Sequence, residues 1–399
     1  MIPQAVERRA RWVLDTIGAR ELGFGDDVPY RAEAWEQVAR GELPDDDVAA
    51  AFFHLARVEE RGAERDEHGR FLAASSRLDP LDPPVEALRR RLGVEPPRWG
   101  GARFAVALTH DVDTPWKWTR RGLVGAAARA KSEVLSGHVR SALREARGLA
   151  GATVHKASGT DPFWSFDRIL EDERRCDASS TFFLMADHGH ELDGPAAETY
   201  ERLRPRLVET LLEAGAEVGL HGTYLAAEDG ARLAAEKERL EALAGPVGGQ
   251  RYHFLRVDPH GNLADVEAVG FAYDSTLGFG DAIGFRAGIA HPFRPWDFER
   301  DAPRDLVEVP LAAMDVTLSA ERYLNLPVAE AELRLRSLVE WAAEHGGGFA
   351  VLWHSEQYDS ALLPGWDRLY RRLVELVGER GGACLQAGVL AEEARAWLS

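Results

Sequence analysis

Two aspartates stand two positions apart at the end of an apolar stretch of the sequence. Asp111 and Asp113 follow the apolar run that starts at Phe104, and residues two apart in a strand face the same side. Both carboxylates would then point at one place, where they could supply a ligand and a base for a hydrolytic metal site. The alternative interpretation is a pair of solvated turn carboxylates ahead of Pro115.

Two histidines also end short apolar runs. His221 closes the run 217–221, and His354 closes the run 349–354. A nitrogen ligand from His221 and an oxygen ligand from Asp113 suit Zn²⁺ or a similar divalent ion. A histidine near its unperturbed pKa of ~6.5 can protonate a departing nitrogen, so His354 is a candidate general acid. Taken alone, each histidine could also be a structural strand-end residue.

The apolar runs alternate with helical segments over about 300 residues, as strands and helices do in a parallel α/β protein. The runs predicted as strands are 104–113, 180–185, 217–221, 252–258, 271–276, 306–311 and 349–354. This many units predicts an irregular (β/α)7-8 barrel over 99–399, with its chemistry at the carboxyl ends of the strands. Residues 1–98 are predicted to form a mostly helical accessory region.

Composition excludes several classes of protein. The 399-residue chain has a formal net charge of −18, whereas a general nucleic-acid binder needs a basic surface. Two cysteines offer no disulfide framework, which is typical of a reduced, cytoplasmic protein. The start of the chain lacks the apolar segment of a secretion signal, and no run reaches the ~18 apolar residues of a spanning helix. We therefore expect a cytoplasmic protein; its oligomeric state is not predicted.

One segment departs from the overall acidity. Between residues 115 and 156 there are nine Lys and Arg against two acidic residues, with apolar positions at helical spacing. The pattern predicts a basic helical insertion at about 115–158. It is either a solvated helix lying across the acidic body or a surface for peripheral contact with anionic membrane lipid or a phosphate-bearing substrate.

Four motifs, in this order along the chain, resemble those of polysaccharide deacetylases with the NodB homology fold. They are Thr109 to Asp113, His221 to Thr223, Arg256 to Pro259 and Val351 to Ser355. The resemblance covers about residues 100–360 and implies a metal-dependent barrel enzyme that removes acetyl groups from N-acetylated sugars. By motif, Asp111 would be the base, Asp113 and His221 metal ligands, Arg256 the arginine that orients the base, and His354 the acid.

The sequence departs from this family pattern in two places. Val112 separates aspartates that are usually adjacent, so the roles of Asp111 and Asp113 could be exchanged. Leu225 stands where the family has a further metal-binding histidine, so another residue must replace that ligand if a metal binds. We rank His253 ahead of Asp258 because imidazole is the family's ligand type, although strict alternation turns His253 outward unless a bulge intervenes. His110 and His188 are more distant candidates.

The leading functional hypothesis is a Zn²⁺-dependent hydrolase that removes an N-acetyl group from a sugar or glycan intermediate. One alternative is a hydrolase of a non-sugar C–N bond on the same barrel, and another is a metal-free carbohydrate-binding pseudoenzyme. Asp274 could orient His354, or it could cap the turn that follows it.

Overall fold

A curled, parallel β-sheet forms the centre of the protein. The computed structural model describes residues 2–135, 160–194 and 197–399. The strands are β1 (Phe104–Val112), β2 (Thr181–Leu184), β3 (Glu217–Gly222), β4 (Gly249–Tyr252), β5 (Tyr273–Asp274), β6 (Trp296–Asp297), β7 (Ala302–Pro303), β8 (Val307–Glu308), β9 (Leu311–Met314), β10 (Gly347–Leu352) and β11 (Ala383–Leu385). The main sheet has the order β8-β5-β4-β3-β2-β1-β10-β9, β11 pairs with β1, and β6 and β7 form a separate hairpin.

Helices connect the strands and cover the sheet. They are α1 (Gln4–Thr16), α2 (Ala32–Ala39), α3 (Asp47–Leu55), α4 (Pro84–Arg91), α5 (Arg120–Leu135), α6 (Phe166–Arg174), α7 (Ala197–Glu213), α8 (Gly230–Ala244), α9 (Leu263–Ala268), α10 (Asp315–Ser319), α11 (Val328–His345), α12 (Trp366–Glu379) and α13 (Ala387–Leu398). Neighbouring strands of the main sheet pair in parallel, so their carboxyl ends lie at one edge.

The segment 307–314 joins the two ends of this sheet. Its first part, β8, pairs with β5, and its second part, β9, pairs with β10. Between them, the amide of Val309 donates to the Asp274 carbonyl, and the Pro310 carbonyl accepts from Ala350, both at 2.8 Å. Proline has no N–H for a ladder, so the chain bends there and the sheet curls into the irregular barrel that the sequence predicted.

Strand β1 shows the alternation that the sequence predicted. Ala105 and Ala107 face a small inner cluster that includes Phe183, whereas Val106 and Leu108 belong to the larger outer core beneath the helices. All nine residues of β1 are buried. The strand is therefore held from both faces, which fixes the direction of the residues at its end.

The residue range predicted for the fourth strand was wrong. We expected a strand over 252–258, but β4 ends at Tyr252 and a 3₁₀ turn, His253–Leu255, follows it. Phe254 and Leu255 have φ of 59° and 55°, in the left-handed region that non-glycine residues rarely adopt. The chain therefore turns at the rim of the barrel, so alternation along an extended strand does not apply beyond Tyr252.

The amino-terminal helices pack directly on the barrel. Residues of α1 and α3 share one hydrophobic core with the outer faces of the strands. Trp296 packs against residues of both helices, with its ring centroid 5.0 Å from that of Trp12 and 5.6 Å from that of Phe52. The predicted accessory region and the barrel therefore bury a common apolar surface.

Only the first part of the predicted basic insertion is described. Helix α5 covers Arg120–Leu135 and exposes Val124, Val134 and Leu135, while residues 136–158 of the insertion lie outside the described residues. In the described part of the chain, no helix has both the length and the apolar character needed to cross a membrane.

A buried ion-pair network also links the two regions. The Glu60 carboxylate accepts hydrogen bonds from Arg57 at 2.8 Å and from Arg286 at 2.9 and 2.6 Å. Burial alone raises the pKa of Glu60, but the charges of Arg286 and Arg57 outweigh it and lower this pKa to about 2.

Replacement of Glu60 by Gln is expected to destabilise the fold, because it leaves two arginines buried without their shared counter-ion. We expect a loss of about 3–5 kcal/mol in the free energy of unfolding, measured by urea denaturation at pH 7. The stabilisation by Glu60 should be complete above pH 4.5 and decrease as the pH falls towards 2, since its folded-state pKa is the lower one. Glu379→Gln, which removes an exposed partner of Arg372, is the control; equal stability of the two variants would contradict the prediction.

Candidate metal and catalytic site

Three potential metal ligands meet at the carboxyl edge of the sheet. Asp113 follows β1, His221 lies near the end of β3, and His253 begins the turn after β4. One ligand atom from each lies within 4.8 Å of the others. The three residues span about 140 positions of the sequence, from Asp113 to His253, and the parallel strands bring them together.

A backbone hydrogen bond orients His221 towards Asp113. Its Nδ1 lies 2.9 Å from the carbonyl of Arg251, which only a protonated Nδ1 can satisfy. The other nitrogen, Nε2, lies 3.3 Å from Oδ1 of Asp113, and neither of these two buried atoms has a hydrogen-bond partner. Since buried polar atoms are rarely left unpaired, this pair fits a cation between them.

The turn after β4 places His253 beside Asp113 and His221 as the third potential ligand. Its Nε2 lies 3.7 Å from Oδ2 of Asp113, and its Nδ1 lies 3.3 Å from the Asp193 carboxylate. Asp193 also accepts backbone hydrogen bonds from Gly189, His190 and Tyr224, which fix it in place. A carboxylate behind a ligating imidazole sets its tautomer and orientation.

The other candidates for the third ligand lie elsewhere. Asp258 is 46% exposed and forms an ion pair with Arg65. His110 belongs to β1, and its side chain contacts Glu173 and the Trp353 carbonyl instead of the site. His188 packs against Tyr200. Among the described residues, the geometry brings only His253 to Asp113 and His221 as a third ligand.

Asp111 pairs with Arg251 and not with Arg256. Arg251 Nη1 donates at 2.9 Å to Oδ1 of Asp111 and to the Thr109 hydroxyl, and the rest of its guanidinium is held by Ser275. The contact predicted for Arg256 is not formed: this residue lies beyond the turn and bonds the carbonyls of His68 and Tyr224. Arg251 lies within β4, one position before the predicted start of that strand at residue 252, so the sequence analysis missed it.

His354 is held by an aspartate that the sequence analysis missed. Asp315, directly after β9, accepts from Nδ1 of His354 at 2.7 Å and from its backbone amide at 2.6 Å. This leaves Nε2 of His354 3.8 Å from Oδ2 of Asp113. Asp315 follows an apolar strand just as Asp113 does, but the predicted strand ended at residue 311, short of it.

Asp274 does not contact His354, so the orienting role suggested for it is wrong. Its carboxyl group accepts from the amide and hydroxyl of Thr276 and from the Gln250 side chain. This is the capping of the following turn that was the alternative.

Solved structures of similar fold were found. A candidate polysaccharide deacetylase from Mycobacterium smegmatis has 20% sequence identity and a TM-score of 0.50, over 76% of this chain and 94% of that one. Puue allantoinase has 15% identity and a TM-score of 0.49 (76% and 95%), and a candidate polysaccharide deacetylase from Pseudomonas aeruginosa PAO1 has 16% and 0.48 (75% and 94%). Comparison with family models and with curated proteins gave no match.

This chain has a polysaccharide deacetylase-like fold. The similarity to the Mycobacterium smegmatis structure agrees with the resemblance that the four motifs predicted. At 20% identity this similarity shows the fold alone.

The acidic and imidazole groups at the edge of this deacetylase-like barrel shift one another's pKa values. Burial alone raises the pKa of Asp113, but the imidazoles of His253, His221 and His354 lower it well below its ordinary value. Conversely, burial lowers the pKa of His253, whereas Asp113 and Asp193 raise it to about 9. With no cation between these groups the proton on His253 balances the carboxylate, and a divalent cation would replace that proton.

An open cleft gives access to these groups. Asp111, Asp113, His221, His253 and His354 line its floor. Its walls combine apolar and polar side chains: Arg70, Phe254, Leu255, Met314, Val316, Arg322, Tyr323 and Leu352. A small substrate can therefore reach the acidic and imidazole groups together.

Replacement of His253 by Ala should abolish tight zinc binding, because the remaining two ligands do not complete a protein site for Zn²⁺. Asp258→Ala removes the other candidate ligand and should leave the zinc content unchanged. Both variants can be measured by elemental analysis after dialysis against a weak chelator, with circular dichroism to check folding. Zinc retained by His253→Ala, or lost from Asp258→Ala, would contradict the assignment of His253.

Proposed function

We propose that this protein is a metal-dependent hydrolase that removes the acetyl group from an N-acetylated sugar. The observation that carries the proposal is the meeting of Asp113, His221 and His253 in one cleft with a paired carboxylate, Asp111, and a protonatable histidine, His354. These groups are those required to hydrolyse an amide: a metal site, a base and an acid.

Asp113, His221 and His253 would hold the divalent cation, and their mixed nitrogen and oxygen ligands favour Zn²⁺. A cation bound there supplies Lewis-acid polarisation of a carbonyl group and lowers the pKa of water. The two aspartates have different partners, which supports different roles for them. Asp113 faces three imidazoles, whereas Asp111 is paired with Arg251, which supports Asp113 as the ligand and Asp111 as the base.

Asp111 would accept the proton of the attacking water. Its Oδ1 is bound to Arg251 at 2.9 Å, and its Oδ2 lies 3.7 Å from His221 Nε2, on the side of the cleft. Pairing with a guanidinium favours the ionised carboxylate. Arg251 is in turn fixed by Thr109 and Ser275, so it holds the base in one orientation.

His354 would protonate the departing amine. Asp315 holds Nδ1 and leaves Nε2 facing the cleft near Asp113. Burial alone lowers the pKa of His354, but the charge and hydrogen bond of Asp315 raise it well above the ordinary value. The histidine therefore keeps its proton at neutral pH, as a general acid must.

The apolar walls of the cleft suit the acetyl group. Leu255, Met314 and Leu352 lie beside the polar floor, where they can cover a methyl group while the amide carbonyl meets the metal site. Hydrolysis of a non-sugar amide, the alternative from the sequence, is tested by the choice of substrates below.

Asp111→Asn should abolish turnover while sparing metal binding, because the amide keeps the shape of the side chain but cannot act as a base. We expect kcat for acetate release from N-acetylglucosamine oligomers to fall by about 10²–10⁴-fold, with unchanged zinc content. Unrelated acetamides serve as comparison substrates. Acetate released from those compounds but not from the sugars would overturn the sugar assignment, and full activity of Asp111→Asn would exclude its role as the base.

Asp315→Asn should move the alkaline limb of the activity profile to lower pH. The active form of His354 is the protonated one, and loss of the Asp315 charge lowers its pKa, so the acid is lost at a lower pH. The measurement is kcat against pH for the zinc-loaded enzyme, with Asp258→Asn as a control distant from His354. An unchanged alkaline limb in Asp315→Asn would show that His354 is not the acid under Asp315 control.

A further inference from the structure

The outer wall of the cleft carries two arginines around one tyrosine. Arg70 and Arg322 lie with their guanidinium carbons 5.9 and 4.9 Å from the ring centroid of Tyr323, and all three residues line the cleft. We call Arg70, Arg322 and Tyr323 the arginine wall. Arg70 comes from the amino-terminal region, so the cleft is completed by a part of the chain outside the barrel.

Arg70 is rigidly held. Its Nε and Nη2 donate to the Asp66 carboxylate at 2.8 and 2.6 Å, and its Nη1 donates to the Tyr323 hydroxyl at 2.9 Å. The side chain is 8% exposed. Gly280 makes room for it, since a Cβ there would lie 2.9 Å from Nη1. Arg70 thus fixes Tyr323, and through it this side of the cleft, in one conformation.

Arg322 differs because its charge is not compensated. It is exposed and, among the described residues, forms no ion pair with a carboxylate. The positive charge also acts on His68, whose pKa is lowered first by burial and then by both Arg70 and Arg322 against the opposing effect of Asp66 and Glu67. Arg322 therefore places an uncompensated positive charge at the cleft of a chain whose net charge is −18.

We propose that the arginine wall binds an anionic group, a phosphate or a carboxylate, on the sugar that the cleft receives. This inference rests on the proposed function and narrows its substrate to a charged N-acetylated sugar. A guanidinium offers a planar pair of donors that match both kinds of oxyanion. The Asp66–Arg70–Tyr323 chain fixes the ring against which Arg322 lies before binding, which reduces the conformational entropy lost when the anion binds.

The test measures binding without turnover. Zinc-loaded Asp111→Asn protein is titrated by calorimetry at low salt with N-acetylglucosamine, N-acetylglucosamine 1-phosphate and N-acetylglucosaminuronic acid. We expect at least one anionic sugar to bind about tenfold or more tightly than the neutral one, in keeping with a charge-assisted hydrogen bond. The two anionic ligands distinguish phosphate from carboxylate. Arg322→Gln on the same background should remove this preference, and Arg90→Gln, which changes an exposed arginine outside the cleft, should keep it.

Each outcome decides between the two proposals. Equal Kd values for neutral and anionic sugars, no binding of either anionic sugar, or a preference that survives Arg322→Gln would overturn the role of the arginine wall. Acetate released by the unmodified enzyme at equal rates from neutral and anionic sugars would overturn it while leaving the proposed function intact. An Arg322-dependent anion preference without acetate release from any sugar would support the anion site and remove the deacetylase assignment.

Discussion

The carboxylate of Asp113, set among three imidazoles, is the interaction on which the site depends. His221, His253 and His354 each direct Nε2 towards it, at 3.3, 3.7 and 3.8 Å. The three imidazoles are 1%, 8% and 9% exposed and the Asp113 side chain is 23% exposed, so positive charge nearby stabilises this partly buried carboxylate. The attraction between these charges raises the pKa of His253 and lowers the pKa of Asp113. A site that collects protons in this way is also suited to a divalent cation.

A second layer of acceptors determines where the imidazoles point. The Arg251 carbonyl, Asp193 and Asp315 each face an Nδ1 atom, of His221, His253 and His354 respectively. Since an imidazole has two nitrogens, fixing the proton on Nδ1 leaves Nε2 for the cleft. The same layer supports both proposed functions of imidazole in this site, as a ligand and as an acid.

The turn after β4 brings His253 beside Asp113 in a chain that has Leu225 where the resembled family has a histidine. Phe254 and Leu255 adopt left-handed backbone angles, a conformation that costs of order 1–3 kcal/mol for each such residue. The turn directs His253 towards Asp113. The chain then continues to Arg256, which does not line the cleft. Strain in the backbone is thus located where it changes which side chain faces the cleft.

The sequence by itself determined the local features: the alternation in β1 that aims Asp111 and Asp113 together, the polar residues at strand ends, and the succession of strands and helices that is typical of a barrel. These follow from short-range periodicity, which each segment carries alone. Only the tertiary structure decided that Arg251 pairs with Asp111, that Asp315 holds His354, and that Asp274 caps a turn. The first two pairings join residues 140 and 39 positions apart, and they depend on strand register and on where a strand ends, which periodicity does not specify. The third decides between two roles of Asp274 that the sequence left open.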